Sequence, residues 1–228
     1  MDLGEALAAA LRLLATGDPQ VVAAVVVSLQ VALLATLFAT LIGAPLGYLV
    51  GSHQFPARRA VEVALNTATA LPTVVVGLLV YALLSRRGPL GGWELLYTRS
   101  AMVIGETLLV APLMATLTMA LVSGADPRIR ETALTLGASR VGAAWAVVRE
   151  LRRGALAALA TGFGRLIAEL GVALMVGGNI QNATRTMTTA IALETGKGEF
   201  AFALALGFIL LFVALLVNAG ASLVTGTR

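Results

Sequence analysis

Cysteine is absent from the 228 residues, and histidine occurs once, at His53. Disulfides and thiolate metal sites are therefore excluded. A lone histidine in a short polar loop reads as a solvated side chain rather than a ligand or proton relay. Charge is scarce too: Asp, Glu, Lys and Arg make up 12% of the chain, against roughly 25% in soluble domains. That is too little to cover a water-facing surface. There is no glycine-rich phosphate-binding motif ending in lysine, so ATP is not bound by that route. Without clustered acids or a nucleophile–histidine set, no catalytic residue and no metal site is expected, and the chain does not read as an enzyme.

What is present is apolar sequence in long runs. Hydrophobic residues make up 58% of the chain, and mean hydropathy is +0.91. Runs at about 21–50, 60–84, 101–123, 154–176 and 200–224 each reach the ~20 residues that cross a bilayer. The expectation is an all-α integral membrane protein of about five spans, folded as a single domain over 1–228. Pro45, Pro72 and Pro112 lie inside spans and predict kinks. Gly43, Gly47 and Gly51 repeat at small-xxx-small spacing and predict close helix packing. The first residues are acidic rather than basic (Asp2, Glu5, with Arg12), unlike a cleavable signal peptide. Leu3, Leu7, Ala10, Leu11 and Leu14 share a helical face, so 1–20 reads as a helix lying in the membrane interface.

The net charge of +4 is not a nucleic-acid signal, because the basic residues cluster at span ends. With the polar stretch 124–153 placed in the cytoplasm, that side carries nine arginines: Arg58, Arg59, Arg128, Arg130, Arg140, Arg149, Arg152, Arg153 and Arg228. The other side carries six basic residues: Arg12, Arg86, Arg87, Arg99, Arg185 and Lys197. The bias puts the N-terminus outside and the C-terminus inside. No internal repeat of the kind found in inverted-repeat transporters is visible.

The stretch 124–153 is far longer than a connector requires. Asp126-Pro127 signals a helix start, Gly137-Ala138 a turn, and 141–151 a second helix. Its residues read Glu131-Thr132-Ala133, three residues, Gly137, nine residues, Val147. This spacing resembles the cytoplasmic signature of the permeases of binding-protein-dependent ABC importers. Arg149-Glu150 departs from the Leu-Pro usual there. The run 147–200, above all GGNI and TRTMTTAI, is similar to the tungstate-type branch of oxyanion importer permeases.

The resemblance implies a type I ABC importer permease-like fold with a cytoplasmic coupling helix, in a bacterial or archaeal cytoplasmic membrane. It implies as partners a second copy of the chain, a cytoplasmic ABC ATPase dimer that holds ATP and Mg, and a periplasmic or extracellular substrate-binding protein. The chain itself would carry no cofactor. ATPase coupling falls to Arg128, Arg130, Glu131, Ala133, Gly137 and Ala138, small residues for close contact with charges at the rim. The cargo implied is tungstate, with molybdate or sulfate as alternatives.

Arg165 and Glu169 lie four apart in the fourth span and are expected to share a helical face. There they would line or gate the path, or pin the bundle as a structural pair. Thr188 and Thr189 join them as path candidates. Asn179, Asn182 and Arg185, in the polar stretch 177–199, are candidates for binding-protein contact or substrate entry. Glu62, Asn66 and Glu106 are assigned helix contacts only. The competing reading from another class is a membrane scaffold that recruits a soluble partner without transport.

Overall fold

The computed structural model describes residues 3–225, with Leu3, Val224 and Thr225 described for backbone only. Arg228, counted above on the cytoplasmic side, lies outside that range. Every regular element among the described residues is helical. Helix α1 (Leu3–Thr16) precedes α2 (Pro19–Ser52). The Asp18 carboxylate starts α2 by accepting from the amides of Gln20 and Val21 at 2.9 and 3.2 Å, with Pro19 in the first turn, where its missing N–H costs nothing. At 34 residues, α2 is about 51 Å long, well beyond a hydrocarbon core of ~30 Å. Pro45 lies inside it.

The second apolar run is not one helix. It divides into α3 (Arg58–Thr69) and α4 (Thr73–Leu84), bent by 95°. The cause is Pro72, which has no N–H to donate and pushes the residue before it out of helical geometry. A loop with a short 3-10 turn at Gly91–Trp93 leads to α5 (Arg99–Ser123). The polar stretch then forms α6 (Pro127–Thr135) and α7 (Arg140–Glu150). The fourth run is broken as well, into α8 (Arg152–Ile167) and α9 (Gly171–Gly177), bent by 56°. Helices α10 (Met187–Lys197) and α11 (Phe200–Thr225) complete the chain. Among the described residues α2, α5 and α11 are long and apolar enough to cross a membrane alone, and the count reaches five if each bent pair is one span.

The frame is the pair α2 and α5. A Cβ on Gly43 would meet the Ala111 carbonyl, one on Gly47 the Ala115 carbonyl, and one on Gly51 the Met119 carbonyl at 2.9 Å. The two sets ascend together, so the helices run parallel, in backbone contact along the glycine seam. In a bilayer, where apolar burial between helices gains little, such close approach supplies the packing energy. Around this seam the buried side chains of Met102, Met114, Leu84, Val172 and Leu206 close one core. Helix α1 packs on α11. It buries Ala6 and Ala10, while Leu7 and Leu11 stay exposed, so small residues rather than leucines make that contact.

Candidate functional site

Between α5 and α8 the chain leaves the bundle as a helix–turn–helix. Asp126 caps α6 by accepting from the Arg128 amide at 2.9 Å, and the Ser139 hydroxyl accepts from the Gly142 amide at 3.1 Å to start α7. Gly137 makes the turn at φ +88° with open space around it, a left-handed conformation that costs a side-chain-bearing residue about 1–2 kcal/mol. Arg128, Arg130, Glu131 and Gly137 are exposed; Ala133 and Ala138 are half-buried. Among the described residues the three charged ones have no ion-pair partner. The unit therefore presents free charges and a bare backbone turn. A polar hollow of about 240 Å³, lined by Ser52, Ser123, Asp126, Arg130 and Glu131 among others, separates α6 from the ends of α2 and α5.

At membrane depth the two broken spans cross at their breaks. A Cβ on Gly171 would meet the Thr73 hydroxyl and, at 3.0 Å, the Val74 amide nitrogen. A recess of about 360 Å³ opens there between Thr73, Val74, Ala168, Glu169 and Leu174. The sequence spacing misplaces one pair. Because α8 ends at Ile167, Arg165 and Glu169 do not share a helical face. Glu169 turns inward, is 7% exposed, and its Oε1 accepts from the amides of Gly171 and Val172 at 2.7 and 3.2 Å. Its carboxylate thus provides the N-terminal cap of α9. Arg165 is exposed and has no hydrogen-bond or ion-pair partner among the described residues.

Sequence reasoning missed Glu106. It is 2% exposed and within electrostatic reach of Glu169, and among the described residues neither its Oε2 nor the Thr107 hydroxyl beside it has a hydrogen-bond partner. A carboxyl early in a span looks like an end residue until the fold shows what covers it. Glu62 is not lone either: Arg58 Nε donates to it at 2.7 Å, and the same guanidinium reaches Ser123 Oγ at 3.1 Å.

The stretch 177–199 is tightly tied. Gly178, Asn179 and Asn182 adopt positive φ. The Thr184 hydroxyl, wholly buried, donates to the Gly177 carbonyl. Arg185 Nε donates to Asn179 Oδ1 at 3.2 Å, and its guanidinium lies 3.8 Å from Glu194. Asn179 and Arg185 are thus bound to each other, and Asn182 alone of the three candidates is exposed. Thr189 does not line an open surface: it is fully buried and forms a reciprocal capping box with Thr186 at the start of α10. Thr188 donates to the Glu169 carbonyl at 2.7 Å, tying α10 to the break between α8 and α9. Arg99, counted above only for its charge, ties the stretch to α5 and α2 by donating to the Ala183 carbonyl and to Gln30 Oε1, each at 2.7 Å.

Comparison with known proteins follows the same lines. Residues 43–225 match the family described as binding-protein-dependent transport system inner membrane component. The chain is 39% identical to the tungstate uptake system permease protein TupB of Peptoclostridium acidaminophilum, over 95% of each chain. It is also 39% identical to a probable anion ABC transporter permease protein of Haloferax volcanii, over 87% of this chain and 88% of that one. In fold it is similar to a chain of the MetNI methionine ABC transporter solved in inward-facing conformations. That likeness has a TM-score of 0.72 at 16% identity and covers 90% of this chain and 94% of the other.

Proposed function

The chain belongs to the binding-protein-dependent transport system inner membrane components, and from that premise we propose that it is the permease through which an ATP-driven importer moves tungstate. Molybdate or sulfate would be the related cargo. The observation that carries the reading is the helix–turn–helix α6–α7. It hangs between two spans with Gly137 at its tip and unpaired Arg128, Arg130 and Glu131 around it. A permease without a nucleotide site receives its driving force from a separate ATPase, which holds ATP and Mg. A short helix presenting small residues and rim charges is the shape that docks in a cleft of such a partner. The likeness to a tungstate uptake permease across nearly the whole chain supports the choice of cargo.

The working unit is two copies of this chain with the path between them. Arg165 supports that arrangement. An unpaired guanidinium at membrane depth is costly against lipid and belongs against water or another protein, and in one copy it lies exposed. The two breaks give each copy a bent surface at the same level. Each α6–α7 unit docks on one ATPase subunit. Nucleotide binding draws the units together and opens the path toward a loaded binding protein outside, and hydrolysis resets it. Asn182 is the open candidate for contact with that binding protein. In this orientation the N-terminus is outside and the C-terminus in the cytoplasm, with the 177–199 stretch facing outward. That placement agrees with the basic residues on α6, on α7 and at the starts of α3 and α8.

The test is ATPase activity in a reconstituted complex of permease, ATPase and binding protein. Stimulation by tungstate-loaded binding protein above molybdate- or sulfate-loaded protein is the expected result. Equal stimulation by all three would reassign the cargo, and a permease that fails to co-purify with an ATPase would favour the scaffold.

A further inference from the structure

Next to the polar hollow, with which it shares Tyr48 and Val122, an apolar cleft of about 470 Å³ runs between α2, α5 and the α7–α8 junction. Pro45, Leu49, Leu121, Val148, Ala155 and Leu159 line it. Thr40, Tyr48 and Thr118 also line it, yet its surface is almost wholly apolar and Thr40 already donates to the Thr36 carbonyl at 2.7 Å, so the cleft offers almost nothing to a water molecule. Its volume is within the ~300–1,000 Å³ of small-molecule sites. The lining on α2 ends at Leu49, three residues before the helix ends at Ser52, so the cleft lies about one helical turn from the end of α2 that the orientation proposed above places toward the cytoplasm. The surface there is hydrocarbon, and Leu41, Leu46 and Leu49 beside it are exposed apolar side chains.

Three exposed arginines stand at the α7–α8 junction, next in sequence to the lining residues Val148 and Leu151. Arg152 opens α8 and precedes Ala155 by three residues and Leu159 by seven, the spacing of one helical face, while Val148 lies on α7 across the break at Leu151. That row otherwise lines the cleft. Arg149 and Arg153 flank it, and all three arginines are exposed and without an ion-pair partner among the described residues. One turn further out, Trp145 is 67% exposed and Val141 80%. An exposed tryptophan beside arginines at a span end is the composition of a membrane–water interface. An acyl chain gains little by moving from bilayer to cleft, so the apolar lining sets only shape, and selectivity must come from the headgroup.

We propose that this cleft is a phospholipid site, with an acyl chain between α2 and α8 and an anionic headgroup on Arg152 and its neighbours. The orientation proposed above decides only which leaflet supplies the lipid.

Native mass spectrometry of the permease–ATPase complex, titrated with phosphatidylglycerol or phosphatidylcholine of identical chains, tests it. One phosphatidylglycerol per permease copy is expected, preferred over phosphatidylcholine at least fivefold, the equivalent of ~1 kcal/mol per basic residue at an anionic surface. Arg152→Gln should reduce that preference about fivefold and Arg152→Lys retain it. Ala155→Phe, which fills the cleft, should remove both lipids while the complex still assembles. Equal binding of the two lipids would overturn the proposal, as would an adduct that survives Ala155→Phe. Loss of the lipid to excess inorganic phosphate would make Arg152 a free-anion site instead. A disulfide between Leu49→Cys in two copies, or a cross-link from it to the ATPase, would show protein in the cleft and also overturn the proposal.

Discussion

Gly47 and Glu169 show how much of this protein rests on single atoms. At Gly47 an added Cβ would collide with the Ala115 carbonyl, and neither backbone has room to retreat in the middle of two packed spans. Gly47→Val is expected to force α2 off α5 and cost about 1–3 kcal/mol, as overpacking does elsewhere. Thermal denaturation of the purified protein should show a clear fall in Tm. Glu169 is the converse case, an acid retained for what it accepts. Removing its carboxylate leaves the Gly171 and Val172 amides unpaired at a buried helix start, a loss of about 1–2 kcal/mol. Glu169→Ala should therefore lower thermal stability, and Glu169→Gln, which keeps an acceptor oxygen, should recover most of it. Equal losses in the two variants would mean that charge rather than capping is what the site needs.

Among the elements, α6–α7 converts local turn chemistry into a docking surface. Nothing crowds Gly137, so a side chain there is opposed only by its positive φ. Gly137→Val should cost about 1–2 kcal/mol in the population of the turn, leave the spans intact, and weaken ATPase binding about tenfold. Affinity of the ATPase subunits for permease in nanodiscs measures this directly; unchanged affinity would remove the turn from the interface. This element was legible before any fold was known, since Asp126-Pro127 and Gly137-Ala138 are start and stop signals that act within a few residues. So was the α2 seam, because three glycines at four-residue spacing have one use in a span. The breaks were legible only in part. Pro72 announces the first, but the second lies at Ala168–Leu170, where no residue type forbids a helix. It depends on Glu169 reaching forward to the amides of α9 while Thr188, nineteen residues on, holds its carbonyl. Contacts at that separation leave no period in the sequence, which is why Arg165 and Glu169 read as one face and Glu106 as a span-end residue.

For the whole molecule the decisive question is what Arg165 faces. Among the described residues of one copy it has no partner, and it lies at membrane depth in α8. Lipid is the most expensive surroundings available to it. If two copies enclose a path, Arg165 meets water in at least one state of the transport cycle, while Leu41, 62% exposed on α2, meets only hydrocarbon. The absence of native cysteine from these 228 residues makes the comparison clean, because each introduced cysteine is then their sole thiol. In the assembled transporter, Arg165→Cys should react with a membrane-impermeant thiol reagent at least ten times faster than Leu41→Cys, since only thiols in contact with water ionise and react. The rate at Arg165→Cys should also change when ATP is trapped on the partner ATPase, because alternating access moves water from one end of the path to the other. A rate as slow as that of Leu41→Cys in both nucleotide states would place Arg165 against lipid or buried protein and remove it from the path. A fast rate that ATP leaves unchanged would keep it in water but outside the part of the path that opens and closes.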